Sequence, residues 1–110
     1  MNLEITHTES NGIHLLQVSG EIDAYTAPQF REQLLPLTEI PGAKIKVDLS
    51  GVQYLDSTGL GIFVAGFKSA KQNDGLIEIS GMTSRVQRLF DITGLADVFQ
   101  IDHEVKGGTS

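Results

Sequence analysis

The stretch from Lys44 to Gln72, KIKVDLSGVQYLDSTGLGIFVAGFKSAKQ, changes its apolar period halfway along. Ile45, Val47 and Leu49 alternate with Lys44, Lys46 and Asp48, the period of a strand with one buried face. Leu60, Phe63, Val64, Phe67 and Ala70 then fall at i, i+3, i+4, i+7 and i+10, one apolar face of a helix. Lys68, Lys71 and Gln72 come late in that helix, where the dipole favours cations. A strand feeding a helix across a polar, glycine-containing hinge, Gly51 to Gly61, is a repeating unit of α/β folds.

Working outward, the same alternation recurs on both sides. Leu3, Ile5 and His7 alternate with polar residues, and Ile13 to Val18 is rich in aliphatics. Asn11-Gly12 between them is a strong hairpin signal, since both residues tolerate positive φ. Thr26-Ala-Pro-Gln29 supplies an N-cap, an early proline and a glutamine at the capping-box position, and Phe30, Leu34 and Leu37 follow at helical spacing. Pro36 lacks an N–H and crowds the preceding turn, so this first helix is expected to kink or stop near Leu35, before a loop at Pro41-Gly42. Leu76 to Ile79, after Asp74-Gly75, forms a fourth strand. A third helix buries Val86, Leu89 and Phe90, with Gly94 as its C-terminal cap. Val98 to Ile101 is expected to add a short edge strand, closing a domain over residues 1–101, and residues 102–110 to form a flexible tail.

The order is thus β-β-α-β-α-β-α with a final short strand. Crossover connections make strands two, three and four parallel, with the first strand antiparallel to the second. In open α/β sheets, function gathers beyond the carboxyl ends of the strands. Three connections lie there: Gly20 to Thr26, Gly51 to Gly61, and Ser80 to Ser84.

Composition narrows the functional classes. A 110-residue chain with 40% hydrophobic and 20% charged residues makes one globular domain. The net charge of -6 disfavours nucleic acid and anionic membranes as partners. With no cysteine there is no disulfide, thiolate zinc site or thiol nucleophile. No signal peptide is apparent, and no apolar run approaches the roughly 18 residues of a membrane span, so the cytoplasm is the expected compartment.

Asp56-Ser57-Thr58 opens the second helix, and there Ser57 is either an N-cap or a functional hydroxyl. Gly59 and Gly61 each cost about 0.5–1 kcal/mol in a helix and would leave the turn beside Ser57 sterically bare, a surface that another protein can reach. Gly66 would let the helix approach the sheet. Enzymatic alternatives fit poorly. Gly59-Leu-Gly61 meets Val64 where a dinucleotide fingerprint needs glycine, and Gly61 to Gly66 meets Phe67 where a phosphate loop needs lysine. No Gly-x-Ser-x-Gly elbow surrounds Ser57, and His7, His14 and His103 all lie outside the carboxyl-end loops, so neither a general base nor a metal set is expected. A phospho-aspartate receiver centred on Asp56 could draw carboxylates from Glu21 and Asp23 but lacks a lysine in the other loops. Modification of Ser57 by a separate kinase remains: a phosphate there meets the positive end of the helix and its free N–H groups, and the fold survives.

Gly20-Glu-Ile-Asp-Ala-Tyr-Thr-Ala-Pro28, Tyr54-Leu-Asp-Ser-Thr-Gly-Leu-Gly-Ile-Phe63 and Arg88-Leu-Phe-Asp-Ile-Thr-Gly-Leu95 together resemble the bacterial anti-sigma factor antagonists, the stand-alone STAS domains, and most of all those of the general stress sigma-B pathway. The resemblance spans nearly the whole chain. It implies the STAS (SpoIIAA-like) α/β fold: a mixed sheet of four to five strands, an N-terminal β-hairpin, and helices after strands two, three and four. It also implies a regulator that is not an enzyme and uses no cofactor or metal. The unphosphorylated form would bind an anti-sigma factor that is also a serine kinase of the histidine-kinase-like ATPase fold, releasing a sigma factor. Phosphorylation of Ser57 would break that complex, and a PP2C-type phosphatase would restore it. Asp23, Asp56, Ser57, Thr58, Gly59, Leu60 and Gly61 are the implied contact surface, with Thr58 a possible second acceptor. Met82, Thr83 and Ser84 join it by their predicted loop position. The alternative is an unphosphorylated STAS subunit of a transport or stress-signalling assembly.

Overall fold

The computed structural model describes residues 2–97 and 100–102. The elements are β1 (Leu3–Ser10), β2 (Ile13–Ile22), α1 (Ala27–Thr38), β3 (Lys44–Leu55), α2 (Ser57–Gln72), β4 (Leu76–Ser80), α3 (Ser84–Thr93), a 3-10 turn (Leu95–Asp97) and β5 (Gln100–Asp102). Asn11 and Gly12 take φ of 56° and 81°, which turns β1 back antiparallel onto β2. β2, β3, β4 and β5 then run parallel, and the five strands lie in sequence order across one sheet. β5 begins at Gln100 and extends one residue past the expected Ile101. Val98, Phe99 and residues 103–110 of the expected edge strand and tail lie outside the described residues.

One face of the sheet carries the core. Leu16, Val18, Ile45, Val47, Leu49, Ile77 and Ile79 are buried, whereas their outward neighbours Gln17, Lys46 and Glu78 are not. The three helices cover the buried face, tied together by a run of aromatic rings. Phe63 of α2 lies 5.0 Å from Phe30 of α1 and 5.5 Å, edge-on, from Phe90 of α3, all three fully buried. Such contacts add to the area that each ring removes from water. Gly66 lets α2 close on its neighbours, because a Cβ there would stand 3.0 Å from Leu34 of α1 and 3.3 Å from Ile77 of β4.

Three local expectations are corrected. α1 runs through Pro36 to Thr38 instead of stopping near Leu35. Pro36 stands within the last turn, so it interrupts little of the helical ladder, and the residues beyond it are anchored. Leu37 is buried, and the Thr38 hydroxyl bonds to Leu35 O at 2.6 Å and Ser69 Oγ at 2.7 Å. The capping box at Thr26 does not form: Gln29 Nε2 instead donates to Leu3 O at 3.2 Å, tying α1 to β1. β3 continues well past Leu49 to Leu55, because two register shifts against β2 absorb extra residues. Leu49, Val52 and Leu55 stay buried while Ser50, Gln53 and Tyr54 turn outward. The expected loop from Gly51 therefore shrinks to the single residue Asp56.

Candidate functional site

The carboxyl ends of β2 and β3 carry the site. Asp56, not Ser57, caps α2: its Oδ1 accepts the N–H of Thr58 at 2.9 Å and of Gly59 at 3.1 Å. Its extended backbone, φ -107° and ψ -174°, ends the strand while its carbonyl accepts the first helical bond, from Leu60 N at 3.0 Å. Ser57 is the first helical residue. It and Thr58 are exposed, and among the described residues nothing hydrogen-bonds the Ser57 hydroxyl. The cap thus leaves that hydroxyl to solvent while using two of the N–H groups expected to be free.

The two glycines behave oppositely. Gly59 is not bare surface: it is buried, and a Cβ there would overlap Leu55 Cδ1 and stand 2.7 Å from Ile22 Cγ2. It lets the helix start against the ends of β2 and β3. Gly61 is exposed, and a Cβ added there would meet nothing within 4 Å, as expected of an accessible turn. Leu60 points into the core at 8% exposure, so it supports the site from below and contributes little surface.

Asp23 fixes the neighbouring turn. Its Oδ1 accepts from Tyr25 N at 2.9 Å and Thr26 N at 3.0 Å, with the Thr26 hydroxyl at 3.3 Å. The Thr26 hydroxyl also accepts from Asp23 N at 2.9 Å and donates to Glu21 O at 2.7 Å, so it closes the turn from inside instead of capping α1. The Thr26 N–H, joined by the Tyr25 N–H and the Thr26 hydroxyl, holds the Asp23 carboxyl below its ordinary value of 3.8, against a partial desolvation that acts the other way.

Asp23 and Asp56 line one open cleft of about 520 Å³, together with Glu21, Ala24, Tyr25, Gln53, Tyr54 and Arg85. Tyr25, Tyr54 and Arg85 were not among the expected site residues. The signal available for Tyr25 is its place between Asp23 and Thr26 in a short turn, where no core can reach it. For Tyr54 the sequence offers no such signal, because the register shift that turns it outward breaks the alternation of β3. Met82 and Thr83 are half-buried and Ser84 exposed, but none of the three lines this cleft. Thr83 instead caps α3, accepting Val86 N at 3.3 Å. His7 and His14 lie at the hairpin end, paired at 3.0 Å between Nε2 and Nδ1, away from Ser57.

Residues 4–107 match the family model of the STAS domain. The chain is 42% identical over 108 residues to the anti-sigma-B factor antagonist of Bacillus subtilis, covering 98% of each chain. Among solved structures it is similar to an anti-sigma factor antagonist from Mycobacterium paratuberculosis, with a TM-score of 0.80, 27% identity, and coverage of 91% of this chain and 85% of that one. The fold is also that of the anti-sigma factor antagonist SpoIIAA. Its unphosphorylated form is 15% identical at a TM-score of 0.74, covering 92% of this chain and 90% of that one. Its phosphorylated form, from Bacillus, is 14% identical at 0.69, covering 92% and 93%.

Two outcomes follow from this geometry. Gly59→Ala should destabilise the fold by about 1–3 kcal/mol through overpacking, whereas Gly61→Ala should stabilise it by up to about 1 kcal/mol through helix propensity, both read from urea unfolding midpoints. The Asp23 turn should add stability above the ordinary carboxyl value of 3.8 and lose it as pH falls through the lower folded-state value. Thermal melts should therefore separate wild type from Asp23→Ala most at neutral pH, with the gap narrowing in acid as the carboxyl loses its charge but keeps a carbonyl acceptor, while Asp23→Asn, which keeps the Oδ1 acceptor, stays closer to wild type at both.

Proposed function

Since this chain belongs to the STAS domain family and groups with the anti-sigma-B factor antagonists, we propose that it is an anti-sigma factor antagonist switched by phosphorylation of Ser57. In its unphosphorylated form it binds an anti-sigma factor that is also a serine kinase of the histidine-kinase-like ATPase fold, and a sigma factor is released to activate transcription. The kinase phosphorylates Ser57 and the complex separates. A PP2C-type phosphatase returns the chain to its binding form. This reading places the protein in the cytoplasm and makes it a substrate of catalysis rather than a catalyst.

The observation that carries the reading is the exposed Ser57 hydroxyl, unengaged at a helix end whose cap is supplied by its neighbour. Phosphorylation removes no structural hydrogen bond, so the fold persists. The phosphate adds about -1.5 to -2 charges directly beside Asp56, whose carboxylate already occupies the Thr58 and Gly59 N–H groups. The helix end therefore neutralises the phosphate incompletely. A partner seated on Ser57, Thr58 and Gly61 would have to accommodate a larger group and strip it of water, a cost of several kcal/mol at a desolvated contact. Each 1.4 kcal/mol is tenfold in affinity.

The test is reconstitution with the anti-sigma factor kinase from the same source and ATP. Wild type should gain one phosphate, mapped to Ser57 by peptide mass, and leave the complex. Ser57→Ala should bind and stay bound, and Ser57→Asp should show a native circular dichroism spectrum with weakened binding. A stable complex that ignores ATP would instead favour a constitutive assembly subunit, and phosphate on Thr58 alone would reassign the acceptor.

A further inference from the structure

Tyr25 is 87% exposed and Tyr54 45% exposed, and both line the cleft beside Asp56. An aromatic ring left in water forgoes the stabilisation that burial brings, yet here the chain holds one in place. Asp23 and Thr26 spend their polar groups on the turn that carries Tyr25, and the register shift in β3 turns Tyr54 outward opposite Glu21. Two rings displayed on a held backbone, each with only two side-chain torsions to fix on binding, are suited to anchor a protein interface. The charge of the cleft selects the occupant. Three carboxylates, Glu21, Asp23 and Asp56, share its lining with one guanidinium, that of Arg85, which makes no ion pair among the described residues.

Building on the partner-switching reading, we propose that Tyr25 and Tyr54 anchor the interface and that the cleft they line receives an arginine or lysine side chain of the anti-sigma factor. A cation there meets both aromatic faces and carboxylates, a combination that apolar or acidic side chains cannot use. Because Asp56 lines the cleft and immediately precedes Ser57, one partner surface spans both. The two parts act differently. The acidic cleft attracts and orients the partner, which governs association, whereas the phosphate on Ser57 obstructs close seating.

The measurement is binding of the purified anti-sigma factor kinase, without ATP, to folded variants across a range of NaCl concentrations. Tyr25→Ala and Tyr54→Ala should each weaken binding about tenfold or more, and Tyr25→Phe should stay within about twofold, since the ring face carries the contact. Glu21→Gln should slow association and flatten the dependence on NaCl. Alanine variants that bind like wild type, or an unchanged salt dependence in Glu21→Gln, would overturn the proposal while leaving the partner switch standing. Failure of the wild-type chain to form any complex would overturn the switch itself.

Discussion

The start of α2 lies against the ends of β2 and β3 because residue 59 has no Cβ. Leu55 and Ile22 occupy the space where one would be. That close approach leaves room for one connecting residue, and Asp56 both ends the strand and caps the helix. Ser57 consequently falls at the first helical position with its hydroxyl unengaged among the described residues. The accessibility of the site follows from a packing constraint beneath it, and a side chain at position 59 would move the serine along with the helix.

The scaffold holds this end firmly by other means as well. The contacts of Phe63 with Phe30 and Phe90 fix α2 between its neighbouring helices. The carboxylates divide the remaining work, Asp56 closing the helix end and Asp23 the turn before α1. Both stand at the cleft with one carboxylate oxygen already engaged by the backbone, which makes them fixed charges of a preformed surface. Such preorganisation lowers the ordering cost of association.

Much of this was legible in the sequence. The change from strand to helix period across Lys44 to Gln72, the Asn11-Gly12 turn and the Gly94 cap each had a local cause, and the parallel core of β2, β3 and β4 followed from the crossovers. The misreadings arose where tertiary contacts overrule local preference. Thr26 and Gln29 form a capping box in sequence, but β2 and β1 offer their side chains other partners. Pro36 is a helix breaker whose cost is offset by the anchoring of Leu37 and Thr38. The register shifts in β3 break the alternation that would have revealed the strand, and with it the outward turn of Tyr54. Gly59 and Gly61 look equivalent in sequence, and only their surroundings separate a buried contact from open surface.

The central claim is that Ser57 carries a switch that changes a surface without refolding the domain. The most direct measurement is the backbone amide NMR spectrum of the chain before and after stoichiometric phosphorylation. The account predicts a preserved spectrum, with shift changes confined to the residues around Asp56 to Gly61 and the adjoining cleft. Changes spread through the core strands, or loss of dispersion, would contradict it.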